Sequence, residues 1–213
     1  MLNIQETLQT AQEKLKLAGL VDSPVIDAEL LLCEALKVNR TYLFTWPEKN
    51  LDANQSQKFN QLLQLRLQGK PIAHILGQRE FWGLNLQVTA DTLIPRPDTE
   101  TLIEAVLELN YFKTANCNIL DLGTGSGAIA LALKSEYPNC AVTALDQSEP
   151  ALKVAKQNAK NLGLEVSFLV SNWFSAVANQ QFQCIVSNPP YIEENDPHLT
   201  QGDVRFEPIT ALT

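Results

Sequence analysis

Nothing in the chain approaches the roughly 18 consecutive apolar residues that suggest a membrane-spanning helix. The first residues, Met1-Leu2-Asn3-Ile4-Gln5-Glu6, carry neither a basic stretch nor the apolar run of a secretory signal, so a cytoplasmic location with no membrane partner is expected. Histidine is scarce: His74 and His198 are the only two, and neither has metal-ligand spacing to another donor, so no metal site is expected. The four cysteines (Cys33, Cys117, Cys140 and Cys184) are scattered, with no Cys-x-x-Cys pair. Three lie in or beside apolar runs, and reduced core thiols are the expectation. Basic residues are outnumbered, 16 Lys and Arg against 24 Asp and Glu, for a net charge of −8. That balance, and the lack of a basic stretch interleaved with aromatics, argue against a directly bound nucleic acid. There is no internal repeat or low-complexity segment.

What is present is ordinary for a folded protein. The 213 residues, 45% hydrophobic and 19% charged, suffice for one large domain or two small ones. The first part reads as helices. Ile4, Leu8, Ala11 and Leu15 recur at helical spacing, and Gly19 ends that segment. Ser23-Pro24 has the form of an N-cap followed by proline, with Val25, Ala28, Leu31, Leu32, Ala35 and Leu36 assigned to one face. Asp52 and Gln55 form a capping-box pattern ahead of Phe59, Leu62, Leu63 and Leu67, and Gly69 and Pro71 close that helix. Residues 1–75 are therefore expected to form a small helical bundle. From Gln78 to Val88 the alternation Leu84, Leu86, Val88 predicts a β-hairpin. Pro95 and Pro97 then bracket Arg96, excluding helix before Asp98. Asp98 is the expected N-cap of a helix reaching about Asn110. The rigid stretch could lie across a pocket or be a plain linker carrying a solvated arginine. Residues 76–97 are expected to act as a hairpin and proline-rich link.

Residues 98–213 alternate between strands and helices. Strands are expected at Asn118–Leu122, Ala141–Leu145, Glu165–Leu169 and Gln183–Ser187, and helices at Ser126–Glu136 and Glu149–Leu162. Short β runs separated by helices imply a parallel, Rossmann-like α/β sheet, whose ligands bind beyond the carboxyl ends of the strands.

Two stretches at such ends carry chemistry. In Asp121-Leu122-Gly123-Thr124-Gly125-Ser126-Gly127, glycine recurs at every second position between a strand and a helix. Glycine reaches positive φ without steric cost, and the helix N-terminus aims N–H groups at a ligand. With Ala128 the loop loosely fits a dinucleotide fingerprint; with Asp121 it fits the Asp-x-Gly-x-Gly-x-Gly pattern of S-adenosylmethionine-dependent methyltransferases. Asp146, ending the next strand, can accept from ribose hydroxyls in either cofactor class, or serve as a helix N-cap. After the third strand, Asn172 can accept from an adenine amine, and Trp173 either lies against the adenine or packs in the core.

Asn188-Pro189-Pro190-Tyr191 separates the two cofactor readings. Hydride transfer has no need of it, whereas methyl transfer to a planar NH₂ group does. The lone pair of such a nitrogen is delocalised, and the Asn188 oxygen and Pro189 carbonyl can each accept one N–H so that it faces the methyl donor. Proline lacks an N–H and keeps that carbonyl rigid; Tyr191 can stack on the substrate's planar group. Catalysis is then mainly alignment and proximity.

The chain also resembles the HemK-type protein-glutamine methyltransferases. The resemblance rests on Gly69-Lys70-Pro71 with Gly77 and Glu80-Phe81, Leu93 through Glu100, Asp121 to Gly127, Asp146, Trp173-Phe174, Asn188 to Tyr191, and Phe206-Glu207-Pro208 with Ala211-Leu212. It implies S-adenosyl-L-methionine as cofactor, with Gly123, Thr124, Gly125, Ser126 and Gly127 around its methionine part. Asp146 would take the ribose, with Asn172 and Trp173 at the adenine and Asn188 against both cofactor and substrate. Asn188, Pro189, Pro190 and Tyr191 would surround the glutamine amide of the Gly-Gly-Gln motif in a class 1 peptide chain release factor. The protein is expected to act as a monomer, with the helical region docking the release factor. The family commonly has aspartate where Asn172 stands, which predicts a modest loss of cofactor affinity. Its chains also continue past the position of Leu212, so a sheet lacking its C-terminal strands is expected here; the alternatives are an adenine-amine methyltransferase acting on nucleic acid, which would use the same Asn-Pro-Pro-Tyr logic, and a truncated, non-catalytic cofactor-binding module.

Overall fold

The computed structural model describes residues 2–20, 22–109 and 117–213. They form two units, 1–76 and 77–213.

The first unit is helical. Helix α1 (Ile4–Leu17) starts at a capping box: Asn3 Oδ1 accepts from the Glu6 amide at 2.8 Å and Glu6 Oε2 accepts from the Asn3 amide at 3.0 Å. Helices α2 (Pro24–Leu36), α3 (Arg40–Thr45), α4 (Ala53–Leu67) and α5 (Ile72–Leu76) follow, the last not anticipated from the sequence. The Asp52–Gln55 capping box opens α4 as expected. Ile4, Leu15, Leu31, Leu32, Phe59 and Leu63 make the core. One assignment in α2 is corrected. Val25 is 43% exposed; the inward stripe runs through Pro24, Asp27, Ala28 and Leu31 instead, at i, i+3, i+4 and i+7. A polar residue on that stripe disguises its phase. Asp27 is buried because Arg66 of α4 donates to it through Nε at 2.7 Å. Ser23 likewise makes no backbone cap; its hydroxyl donates to Asp27 Oδ1 at 2.8 Å.

The second unit begins with a hairpin, β1 (Gln78–Phe81) antiparallel to β2 (Leu84–Gln87). Its turn residues Trp82 and Gly83 both have positive φ, 53° and 70°, as a two-residue turn between twisted strands requires. Phe81 and Leu86 enter the unit's core. Beyond Pro95 the chain makes a 3-10 turn over Pro97–Thr99 and continues as α6 (Glu100–Glu108). Asp98 is therefore inside the turn and is not an N-cap; its carbonyl accepts from the Thr101 hydroxyl at 2.6 Å. The expected helix end near Asn110 lies outside the described residues.

The remaining strands and α-helices among the described residues are β3 (Asn118–Leu122), α7 (Ala128–Glu136), β4 (Ala141–Asp146), α8 (Glu149–Leu162), β5 (Ser167–Val170) and β6 (Cys184–Ser187). The four strands are parallel in the order β5-β4-β3-β6. The chain thus builds outward from β3 to β5 and then returns to the other side of β3. Order reverses between β3 and β6, and at this reversal the loops diverge and leave a crevice. In register, Leu122 lies opposite Ser187.

The expectation of reduced thiols fails at one pair. Cys117 and Cys140 are joined in a disulfide, with Cα atoms 4.6 Å apart. Each immediately precedes a strand, and because Asn118 pairs with Ala141 the two cysteines are held side by side. Cys33 and Cys184 are free thiols. No helix among the described residues is long and apolar enough to cross a membrane.

Candidate active site

The glycine loop links β3 to α7, and its three glycines do different things. Gly123 and Gly125 have φ of 71° and 55°, and a Cβ at either would meet nothing within 4 Å. They are open backbone on the wall of a cavity of about 560 Å³. Gly127, at φ 86°, is the N-cap of α7 and faces inward: a Cβ there would lie 3.1 Å from Leu131 Cδ1 and 3.2 Å from Ala155 Cβ. It allows α7 and α8 to approach, and does not line the cavity.

Backbone bonds shape the loop. The amides of Gly123 and Thr124 both donate to the Leu145 carbonyl at 2.9 Å, and the Gly125 amide donates to Asp146 Oδ2 at 2.8 Å. Thr124 and Ser126 are buried and also lie off the cavity wall. The Thr124 hydroxyl donates to Asp121 Oδ2 at 2.6 Å. Asp121 is fully enclosed, and burial pushes its carboxyl up to about 7 against the opposing effect of that hydrogen bond.

Of the cofactor-binding residues expected from the sequence, the cavity brings together Gly123, Gly125, Asp146, Asn172, Trp173 and Asn188. Asp146 closes β4, and its second oxygen accepts from the Ser148 amide at 2.9 Å. Ser148, not Asp146, caps α8. Trp173 is 61% exposed, which excludes core packing. It has a left-handed φ of 48°, a strained state for a bulky residue, and the Ser171 hydroxyl donates to its carbonyl at 2.7 Å.

Asn188 follows β6, directly across the strand reversal from the glycine loop. The Ser187 hydroxyl donates to the Leu122 carbonyl at 2.9 Å and ties the two loop bases together. Asn188 and Pro189 also line a second cavity, again of about 560 Å³, with Arg96, Thr99 and Tyr191 on its wall. Tyr191 is 80% exposed and belongs to this second cavity alone, while Pro190 lines only the first.

Several participants carry no signal in local pattern. Glu207 has a buried carboxylate that accepts from the Ile94 amide at 3.1 Å and from Arg96 Nη2 at 2.5 Å. Arg96 is thus a brace and not a solvated linker cation. Burial raises the Glu207 pKa, with Arg96 acting the other way. Asn158 of α8 accepts from the Gln87 amide at 2.7 Å and donates to the carbonyls of Gln87 and Ser126 at 3.0 and 2.9 Å. It joins the hairpin to the glycine loop. Glu207 lies in a stretch quoted for the family resemblance; Asn158 has no comparable marker.

Comparison with known proteins agrees with this architecture. Residues 6–77 match the family model described as PrmC N-terminal domain, and residues 98–203 match the one described as Methyltransferase small domain. A release factor glutamine methyltransferase from Shewanella oneidensis is 54% identical over 211 residues, covering 99% of this chain and 72% of its own. The corresponding protein of Aliivibrio fischeri is 51% identical over 214 residues (99% and 74% covered). That of Escherichia coli is 53% identical over 192 residues (90% and 69% covered).

Proposed function

This chain belongs to the release factor glutamine methyltransferase family, and from that premise we infer how its site performs the reaction. The second unit has the fold of an S-adenosylmethionine-dependent methyltransferase, and the activity is methyl transfer to the side-chain amide nitrogen of a release-factor glutamine. The residues present fit the cofactor. Gly123 and Gly125 leave open backbone on the cavity wall where a Cβ would otherwise project. The Asp146 carboxylate lines the same cavity with Leu145 and Ala151 beside it, matching a ribose diol next to a flat apolar base.

When bound, S-adenosylmethionine supplies a methyl group on a positively charged sulfur. The chain supplies the rest. In our reading Asn188 Oδ1 and the Pro189 carbonyl each accept one N–H of the glutamine amide, so that the nitrogen lone pair faces the methyl group. Gly123, Gly125 and Asp146 would hold the cofactor, whose methyl group this nitrogen takes up in exchange for a proton. Tyr191 lies against the glutamine's planar group, and Trp173 against the adenine. Alignment of this kind is worth effective molarities of on the order of 10⁵ M or more.

The observation that carries the reading is that Asn188 and Pro189 line both cavities, one holding the glycine loop and Asp146, the other holding Tyr191. Leu93 and Ala211 line both as well; of these four residues Asn188 alone carries a polar side chain, which supports transfer beside it. Residues 1–75 dock the release factor, 76–97 link, and 98–213 catalyse. The protein acts in the cytoplasm as a monomer, on protein and not on nucleic acid, in keeping with its net charge of −8.

The test is transfer from tritiated S-adenosylmethionine to a purified release factor. Label should appear at the Gly-Gly-Gln glutamine, and Asn188→Ala should abolish it while cofactor binding persists. Label on other residues but never on that glutamine overturns the reading.

A further inference from the structure

We propose that Thr99 is a positioning residue for Asn188, holding its carboxamide in the plane and direction needed to receive the substrate. The proposal rests on the reading of Asn188 as the acceptor of a substrate N–H. Asn188 Nδ2 donates to Thr99 Oγ1 at 3.2 Å, across 89 residues of chain.

The backbone of Asn188 is already set by the pairing of β6 with β3 and by the bond from Ser187 to Leu122. What remains free is the side chain. Its carboxamide has an oxygen that only accepts and a nitrogen that only donates. Tethering the nitrogen leaves the oxygen as the end available to an incoming N–H. A hydroxyl can serve either end of an amide, so what Thr99 supplies is a fixed plane; the substrate's N–H then selects the oxygen.

Three features show that Thr99 is mounted for this. It is the last residue of the 3-10 turn that runs directly into α6. Here φ −70° and ψ −17° are already helical and the side chain makes no cap. Its hydroxyl is turned to Asn188 instead. The segment before it is stiff: Pro95 and Pro97 limit φ, the Thr99 amide donates to the Arg96 carbonyl at 3.0 Å, and Glu207 holds both Ile94 and Arg96. Finally, Thr99 and Asn188 both line the second cavity, so the contact lies where the glutamine would enter.

The experiment compares Thr99→Val, Thr99→Ser and Asn188→Ala in single-turnover transfer to the release factor. Removing the hydroxyl with Thr99→Val should slow transfer roughly tenfold, the scale of one lost orienting hydrogen bond. The KM for release factor and the Kd for S-adenosylmethionine should change less than about twofold, since neither contact is removed. Thr99→Ser should restore the rate to within about twofold of wild type, because the hydroxyl is retained. In ¹⁵N-labelled wild-type protein, one Asn188 Nδ2 proton should be shielded from solvent exchange, and Thr99→Val should remove that protection. A wild-type rate in Thr99→Val overturns the proposal, as does an equal loss in Thr99→Ser. A raised KM with unchanged rate also overturns it, since Thr99 would then touch the substrate itself. If Thr99→Val does not fold, the serine variant and the wild-type exchange rates decide. If Asn188→Ala keeps full activity, the reading of Asn188 fails; if only Thr99→Val does, the positioning role alone fails.

Discussion

The Gly125 amide donates to Asp146 Oδ2 at 2.8 Å, while the other oxygen of Asp146 accepts from Ser148 at 2.9 Å. One carboxylate at the end of β4 therefore braces the glycine loop and helps to start α8. A carboxylate has about four lone-pair positions, so these two bonds leave room for a ribose diol. Asp146→Asn keeps one acceptor oxygen and loses the charge. It should weaken S-adenosylmethionine binding by roughly 10- to 100-fold, the range for bonds to charged acceptors. Isothermal titration calorimetry checks this, and an unchanged Kd would remove Asp146 from the cofactor site.

The glycines should separate by mutation. Gly127→Ala forces a Cβ against Leu131 and Ala155 at a φ of 86°, and should cost about 2–4 kcal/mol of stability from strain and overpacking together. Gly125→Ala meets open space at φ 55°, so it should cost only about 1–2 kcal/mol. Its added methyl group projects where the cofactor would lie, and cofactor affinity should fall instead. Urea unfolding and a binding titration on both variants separate the effects; equal stability losses would refute the distinction.

Asp121 predicts a pH dependence. Its pKa rises from the ordinary carboxyl value of 3.8 to about 7 in the fold, with burial the main cause. The native state then holds a proton that the unfolded chain has lost, and by linkage this group's contribution to stability falls as pH climbs from about 4 to 7. Asp121→Asn removes that proton and its penalty. The stability of the variant relative to wild type should therefore improve between about pH 4 and pH 7 in urea titrations and level off above that, whatever its absolute value. A pH-independent difference would mean that the carboxyl is not raised.

Asn158 tests whether the hairpin supports the site. Asn158→Ala would leave the Gln87 amide and carbonyl, in part-buried bonds, and the Ser126 carbonyl, in a buried one, without their side-chain partner. A loss of about 2–4 kcal/mol is expected, larger than for one neutral hydrogen bond because several groups lose a partner. Hydrogen exchange should quicken at both Gln87 and the glycine loop, although neither is altered. Exchange confined to Gln87 would show that the two are not coupled.

Much of this architecture is local chemistry. Helix α8 is legible over its whole length, Glu149 to Leu162, because its apolar stripe is a near-neighbour signal. Strand β3 is legible to the residue. Misreadings arise where a distant group changes the meaning of a residue. Asp27 has the look of an outward acid until Arg66 is brought beside it. Asp98 has the look of a helix cap, but the proline-led 3-10 turn moves the helix start past it. Cys117 and Cys140 give no sign of pairing, because strand register alone makes them neighbours.

By itself, the amino-acid sequence determined that a glycine loop follows a strand, that Asn188-Pro189-Pro190-Tyr191 follows another, and that both lie at carboxyl ends. Those outcomes depend on periodicity, glycine's positive φ and proline's fixed one. Only the tertiary structure decided that β6 returns beside β3, setting Ser187 opposite Leu122. It also decided that Gly123 and Gly125 face the cavity while Thr124, Ser126 and Gly127 do not, and that Thr99 reaches Asn188. Strand order and register are set by the packing of segments far apart in the chain, and near-neighbour patterns carry no record of them.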